Sequence, residues 1–382
     1  MSASQNARLS ASVGLAAAIA FVMASPLLGP AFASQASADK PAFASQASAG
    51  KQASPTRPAP AAKSAYTPSR TPWGDPDLQG NFTNKYEQGT PFERPDEFAG
   101  RKIDDLKSEE LKDILQERQD RALLSITLAG GDPAGNLGGP LWWQDQFEVN
   151  KGSRPWFVVD PTDGKIPPMT QEAQQRIAAR AAVTRATRGG GADSYTSRSL
   201  YDRCITRGLP GSMMPVIYGN SYHIVQGPGY VAIRYEMVHE TRVIPLDGRP
   251  HVGRTIRSHM GDARGHWEGN TLVVETTNFR DESVYRNGNP ATLKLIERFT
   301  RTAPNRVEWA VTVDDPATWT RPWTFAMPLT INDDERIMEY ACHEGNRAME
   351  NILSAARSEE EAVRKGLKSS TTPVPTAAEG ER

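Results

Sequence analysis

The densest gathering of reactive side chains is the stretch Ser258-His259-Met260-Gly261-Asp262-Ala263-Arg264-Gly265-His266-Trp267-Glu268, which holds two histidines, two acids and an arginine. Histidine beside a carboxylate is the usual pair for moving protons near neutral pH. His266 or His259 with Asp262 is therefore a candidate acid–base site, expected on a loop at one mouth of the domain. The six histidines (His223, His239, His251, His259, His266 and His343) include no His-x-His or His-x-x-x-His pair. Those spacings bring imidazoles onto one metal, so no metal and no other cofactor is expected. A nucleophilic serine has no Gly-x-Ser-x-Gly setting. Cys342 and His343 are neighbours on an expected strand, where adjacent side chains point to opposite faces and share no proton. Gly189-Gly190-Gly191 trails a helix rather than following a strand, so it is no phosphate loop.

A second set of residues comes from charge on apolar strand faces. Period-two alternation puts Trp319, Arg321, Trp323, Phe325 and Met327 on one face, and Leu293, Leu295, Glu297, Phe299 and Arg301 on another. The face of 336–342 carries Ile337, Glu339 and Ala341, with His343 following. Apolar faces turn inward, and an inward charge is costly unless paired, so Arg321 is expected to meet Glu297 or Glu339. Two readings follow: a structural ion-pair network, or a pocket lined by Arg321, Glu297, Glu339, Trp319, Trp323, His343 and His239. Four of the eight tryptophans fall between Trp267 and Trp323, which suits either core packing or pocket walls.

Positioning these residues falls to a chain of two textures. A short strand is expected over 78–85, and helices over 108–121 and 170–187. Arg154 to Ile166 reads as a hairpin turning on Asp-Pro-Thr-Asp-Gly. Beyond Gly211 strands are expected at 221–226, 229–239, 241–246, 271–279, 293–301, 305–314, 319–330 and 336–342. The turn signals between them include Gly227-Pro228-Gly229 and Glu268-Gly269-Asn270. A C-terminal helix follows over 346–365. The fold class is mainly β with α insertions, an antiparallel meander of enough strands to close into a barrel. An open sandwich is the alternative.

The ends set the compartment. Residues 1–33 have a polar start with Arg8, an apolar run too short to span a bilayer, and Ala31-Phe32-Ala33 as a cleavage site. This is a signal peptide pattern, and it places the protein in the periplasm or the medium with no membrane span after removal. Behind it PAFASQASADK and PAFASQASAGK repeat in tandem, offering a second cleavage point after Ala38. A disordered spacer is expected over 34–70, one domain over 71–365 with a helical insertion at 93–190, and a disordered tail over 366–382. Formal net charge is −1, and loss of Arg8 makes it −2. Without a basic excess or basic-aromatic clusters, nucleic acid is not an expected partner.

The two cysteines, Cys204 and Cys342, are an even count in an oxidising compartment, which suggests a disulfide. Two buried thiols, or one nucleophilic cysteine beside His343, are the alternatives.

Four stretches, WGDPDLQG from Trp73, YDRCITRG from Tyr201, WEGNTLVVETTNF from Trp267 and YACHEGN from Tyr340, resemble an uncharacterised family of exported bacterial proteins. The resemblance covers nearly all of 71–360 and implies export and a shared fold. The meander is also similar to the lipocalin-type (calycin) barrel, with Gly80-Asn81-Phe82 in place of the first-strand Gly-x-Trp, phenylalanine standing for tryptophan. The leading expectation is an exported barrel that binds a small apolar or aromatic molecule. An enzyme (hydrolase or isomerase) using His/Asp/Glu groups, or a structural envelope protein, are the alternatives. The sequence carries no expectation of oligomeric state.

Overall fold

A computed structural model describes residues 66–130, 153–186, 192–216, 219–335 and 337–367. The signal peptide, most of the spacer, the Trp142-Trp143 loop, the Gly189 to Gly191 linker and nearly all of the tail lie outside the described residues.

Ten strands form one antiparallel sheet: β1 (Gly80–Thr83), β2 (Val158–Asp160), β3 (Ser221–Gly227), β4 (Tyr230–Tyr235), β5 (Thr241–Pro245), β6 (Asp262–Glu268), β7 (Thr271–Thr277), β8 (Lys294–Ala303), β9 (Arg306–Asp314) and β10 (Trp323–Ile331). Their order is β5-β4-β3-β1-β10-β9-β8-β7-β6. β1 and β2 share one edge of β10, β1 at Thr330 and Ile331, β2 at Thr324 and Phe325. The helices are α1 (Ser108–Gly130), α2 (Gln171–Ala186) and α3 (Ala348–Arg364). None is long and apolar enough to cross a membrane.

Alternation sorts each strand as its residues dictate. On β9, Val307, Trp309, Val311 and Val313 are all buried, and on β10 Trp323, Phe325, Met327 and Leu329 are. They join Phe82, Tyr222, Tyr235, Phe299 and others in a core that fills the concave side of the sheet. The rings interlock, Trp309 against Phe325 edge-on at 5.6 Å between centroids and Trp319 against Trp323 likewise at 5.6 Å. Such interdigitated rings are the packing expected of a protein interior.

The expected barrel closure is not made by hydrogen bonds. β5 and β6 are the two ends of the ladder and share no pairing. Pro245 closes β5 with no N–H to donate. A Cβ on Gly265 would stand 2.7 Å from Leu246 and 2.8 Å from Ile244, so side chains of the β5 edge pack over a bare glycine on β6. The seam is shut by packing.

Four expectations about elements change. The stretch 258–268 is not all loop, because 262–268 is β6; Ala263 and Gly265 are buried and the polar residues alternate outward. Residues 337–342 form no strand: β1 and β2 already occupy that edge of β10, and Met338 is 73% exposed. The 154–166 hairpin reduces to β2 alone, for its second arm is only Lys165 and Ile166 before Pro167 and Pro168, which have no N–H to extend it. The strand expected from Trp319 starts at Trp323, after Pro322.

The two ends of the sheet differ. Two-residue turns, Pro228-Gly229, Gly269-Asn270 and Pro304-Asn305, close one end. Segments 84–92, 236–240, 278–293 and 315–322 crowd the other.

Candidate functional site

Glu297, expected to face Arg321, is wholly buried on β8 and instead takes Arg242 of β5, with Nη1 donating to Oε2 at 2.5 Å and Nη2 to Oε1 at 3.1 Å. Trp309 Nε1 donates to the same carboxylate at 3.2 Å. Burial works to lower the Arg242 pKa, but the Glu297 charge, Tyr235 and the hydrogen bonds to both together hold the guanidinium above its ordinary value. Burial pushes the Tyr235 hydroxyl beside them upward. Arg321 lies before β10, half-exposed, and bonds Asp160 at 2.8 Å. It never enters the core, because Pro322 ends the alternation that would have carried it inward.

The remaining expected site residues scatter. Trp319 and Trp323 are core residues. Glu339 is exposed on the irregular segment after β10, 4.0 Å from His239, whose Nδ1 donates to the Tyr340 carbonyl at 3.0 Å. His343 lies at a recess of about 350 Å³ beside Tyr195, Asp202, Arg203 and Asn346. One wall of that recess is Cys204, joined to Cys342 in a disulfide.

Asp262 and His266 do not make an acid–base pair. Four residues along one strand separate them by about 13 Å. Asp262 pins the β5–β6 connection, accepting from His251 Nδ1 at 2.8 Å and Val252 N at 3.1 Å. His266 pairs with Glu268 at the surface, 3.2 Å apart. His259 sits elsewhere, before β6, with Nδ1 buried and without a partner. Burial, then the Arg280 charge, lowers its pKa below the usual 6.5. Nearby, Thr206 donates to Glu240 at 2.6 Å and touches Met260 Sδ at 3.5 Å. Burial raises Glu240 against that hydrogen bond.

The loop-rich end also holds strained backbone. Cys204, Val238, His239, Asn278, Arg286 and Asn287 all have positive φ. For β-branched Val238, at φ 60°, this is a true departure from preferred geometry, and such strain collects at sites that work.

The site that sequence reasoning missed is on the outer face of the sheet. There Arg298, Ala310 and Ala326 are direct cross-strand neighbours on β8, β9 and β10, as are Thr300 and Glu308. Two alanines side by side leave a hollow among longer side chains. Trp156 and Arg154 wall it, with Lys102, Ile103 and Asp104 at the rim, and the space measures about 370 Å³. That lies at the lower end of small-molecule sites.

Local contacts hold the walls. Arg118 of α1 donates to the Arg154 and Pro155 carbonyls. Phe157 and Val158 bond backward to Phe92, and Ala326 N donates to the Phe157 carbonyl at 3.0 Å. Trp156 is only 1% exposed. A Cβ on Gly164, at φ +69°, would stand 2.7 Å from Trp156 Nε1, so the turn must be glycine to seat the indole.

The charges of this hollow are incompletely satisfied. Arg154 Nη2 pairs with Glu308, and Arg298 Nη2 with Glu268 at 2.6 Å. Yet the Nε–H groups of both arginines are buried with no acceptor. A buried donor left unmade costs about 1–3 kcal/mol. Behind Arg154, burial raises Glu87 while Ser153 N donates to it at 3.1 Å. In the sequence these residues show only as polar positions alternating with core ones. Among the described residues no group of three or more His, Cys, Asp or Glu is placed to hold a metal ion.

Comparison of the chain with protein-family models, curated proteins and solved structures finds no match.

Proposed function

We propose that this chain is an exported protein that binds a small molecule with an apolar or aromatic body in the hollow on the outer face of its sheet. The observation that carries the reading is the paired Ala310 and Ala326 floor beneath the Trp156 wall, enclosing about 370 Å³. The N-terminal pattern over 1–33 and the Cys204–Cys342 bridge support an oxidising compartment, periplasm or medium.

Ala310→Leu tests the reading. The substitution fills the hollow from a half-buried floor position, so the fold should persist while thermal stabilisation by bound small molecules disappears. Unchanged stabilisation would remove the hollow as the site.

A second reading, acid–base catalysis at the loop-rich end, rests on Glu240 and His259, whose pKa values are displaced toward each other. Opposed displacement near strained loops is typical of catalytic groups. Loss of turnover in both Glu240→Gln and His259→Gln, once a substrate is found, is what that reading requires.

A further inference from the structure

Resting on the hollow as the binding site, we infer that its ligand bears an acidic oxygen group, a carboxylate on a small apolar body. Three cationic side chains line the space, Lys102, Arg154 and Arg298, against Asp104 and Glu308. One terminal nitrogen of each guanidinium, Nη2, donates to a carboxylate, Glu308 for Arg154 and Glu268 for Arg298. Each Nε–H is then left buried and without an acceptor. Guanidinium is always charged and only donates, so with Lys102 the lining favours a ligand group that brings lone pairs and negative charge.

Further acceptors already in place argue for one more anion rather than a neutral carbonyl. Glu308 is shared between Arg154 and Arg306, the second contact at 3.7 Å. Lys102 Nζ has no carboxylate partner among the described residues. Burial raises the pKa of Glu87, behind Arg154. A charge-assisted hydrogen bond to Arg is about twice as strong as a neutral one, and this environment rewards that difference. Beside Thr162, Thr300 and Thr324, the lining is completed by Ile103, Trp156, Val158, Val159, Ala310 and Ala326, an apolar part that takes a hydrocarbon or aromatic body.

Calorimetry on the processed chain with matched pairs, carboxylates from acetate to 2-naphthoate and their primary amides, separates the possibilities. At least one carboxylate should bind, tenfold or more tighter than its amide. Raising the salt should reduce that preference. Arg298→Met, or Arg154→Met should the first variant fold poorly, should abolish it, and Arg298→Lys should restore it only in part. Ala310→Leu should remove binding of both members of a pair. Amides binding as tightly as acids would overturn the carboxylate assignment and leave the hollow standing. Binding unaffected by Ala310→Leu, or no binding by any pair, would overturn the hollow and the assignment together.

Discussion

Glu297 on β8 and Arg242 on β5 meet inside the sheet across its unpaired seam, both fully buried. β5 is the last strand of the ladder at one end, and β8 is the third from the other. The pair therefore joins two parts of the sheet that no backbone hydrogen bond connects. Arg242→Met would strand the carboxylate, leaving it the Trp309 Nε1–H but no counter-charge. Breaking one partner of a buried pair costs about 3–5 kcal/mol, while removing both is far milder. Denaturant unfolding should show this loss in Arg242→Met and recovery of much of it in Arg242→Met/Glu297→Leu. A loss in the double variant equal to the sum of the losses in Arg242→Met and Glu297→Leu would mean that the two charges act independently.

Much of this arrangement is legible in the sequence, and the places where it is not have physical causes. Alternation on 293–301 and 305–314 exposes β8, β9 and the need for a partner to Glu297. The partner itself is not legible, for Arg242 sits on a five-residue strand far along the chain, and only the curvature of the sheet brings it close. Arg321 looks equally inward, but its strand begins at Trp323, four residues later than alternation implies. β6 escapes notice because its inward positions are Ala263 and Gly265, small enough to let the facing edge pack down. The hollow is hidden for a related reason. A cavity made by alanines is a matter of what is missing between strands, and single-strand patterns record only what is present.

The disulfide predicts a specific local response. α3 has no buried residue and is tied to the domain by Cys204–Cys342 and by Arg357 bonding the carbonyls of Ala192 and Asp193. The bridge spans a separation of 138 residues, and loops of that order contribute about 2–5 kcal/mol. Thiol counting on denatured, unreduced protein should find none free. Reduction should lower stability by that amount and raise hydrogen exchange first over 337–364. Two free thiols in the unreduced chain would contradict the pairing.

Acid and base at the loop-rich end should bend the stability curve in opposite senses. Glu240 has a folded pKa above 4.5, so the folded state holds the proton more tightly. Stability from this group is present below 4.5 and is lost as pH rises through the folded value. His259 is held below 6.5, so its neutral form favours the fold, and stability is lost as pH falls from 6.5 through the folded value. Glu240→Gln should flatten the decline above pH 4.5, and His259→Gln should flatten the decline below 6.5. Proton NMR should place the His259 titration under 6.5. A His259 midpoint at or above 6.5 would remove the buried environment assigned to it.

The account turns on whether the outer hollow holds a molecule. Native mass spectrometry of the protein purified from its own host measures this most directly, because a co-purified ligand appears as added mass. We predict a retained small acid on the wild-type chain and bare protein for Ala310→Leu isolated in the same way. Adducts of equal mass and occupancy on both proteins would contradict the site.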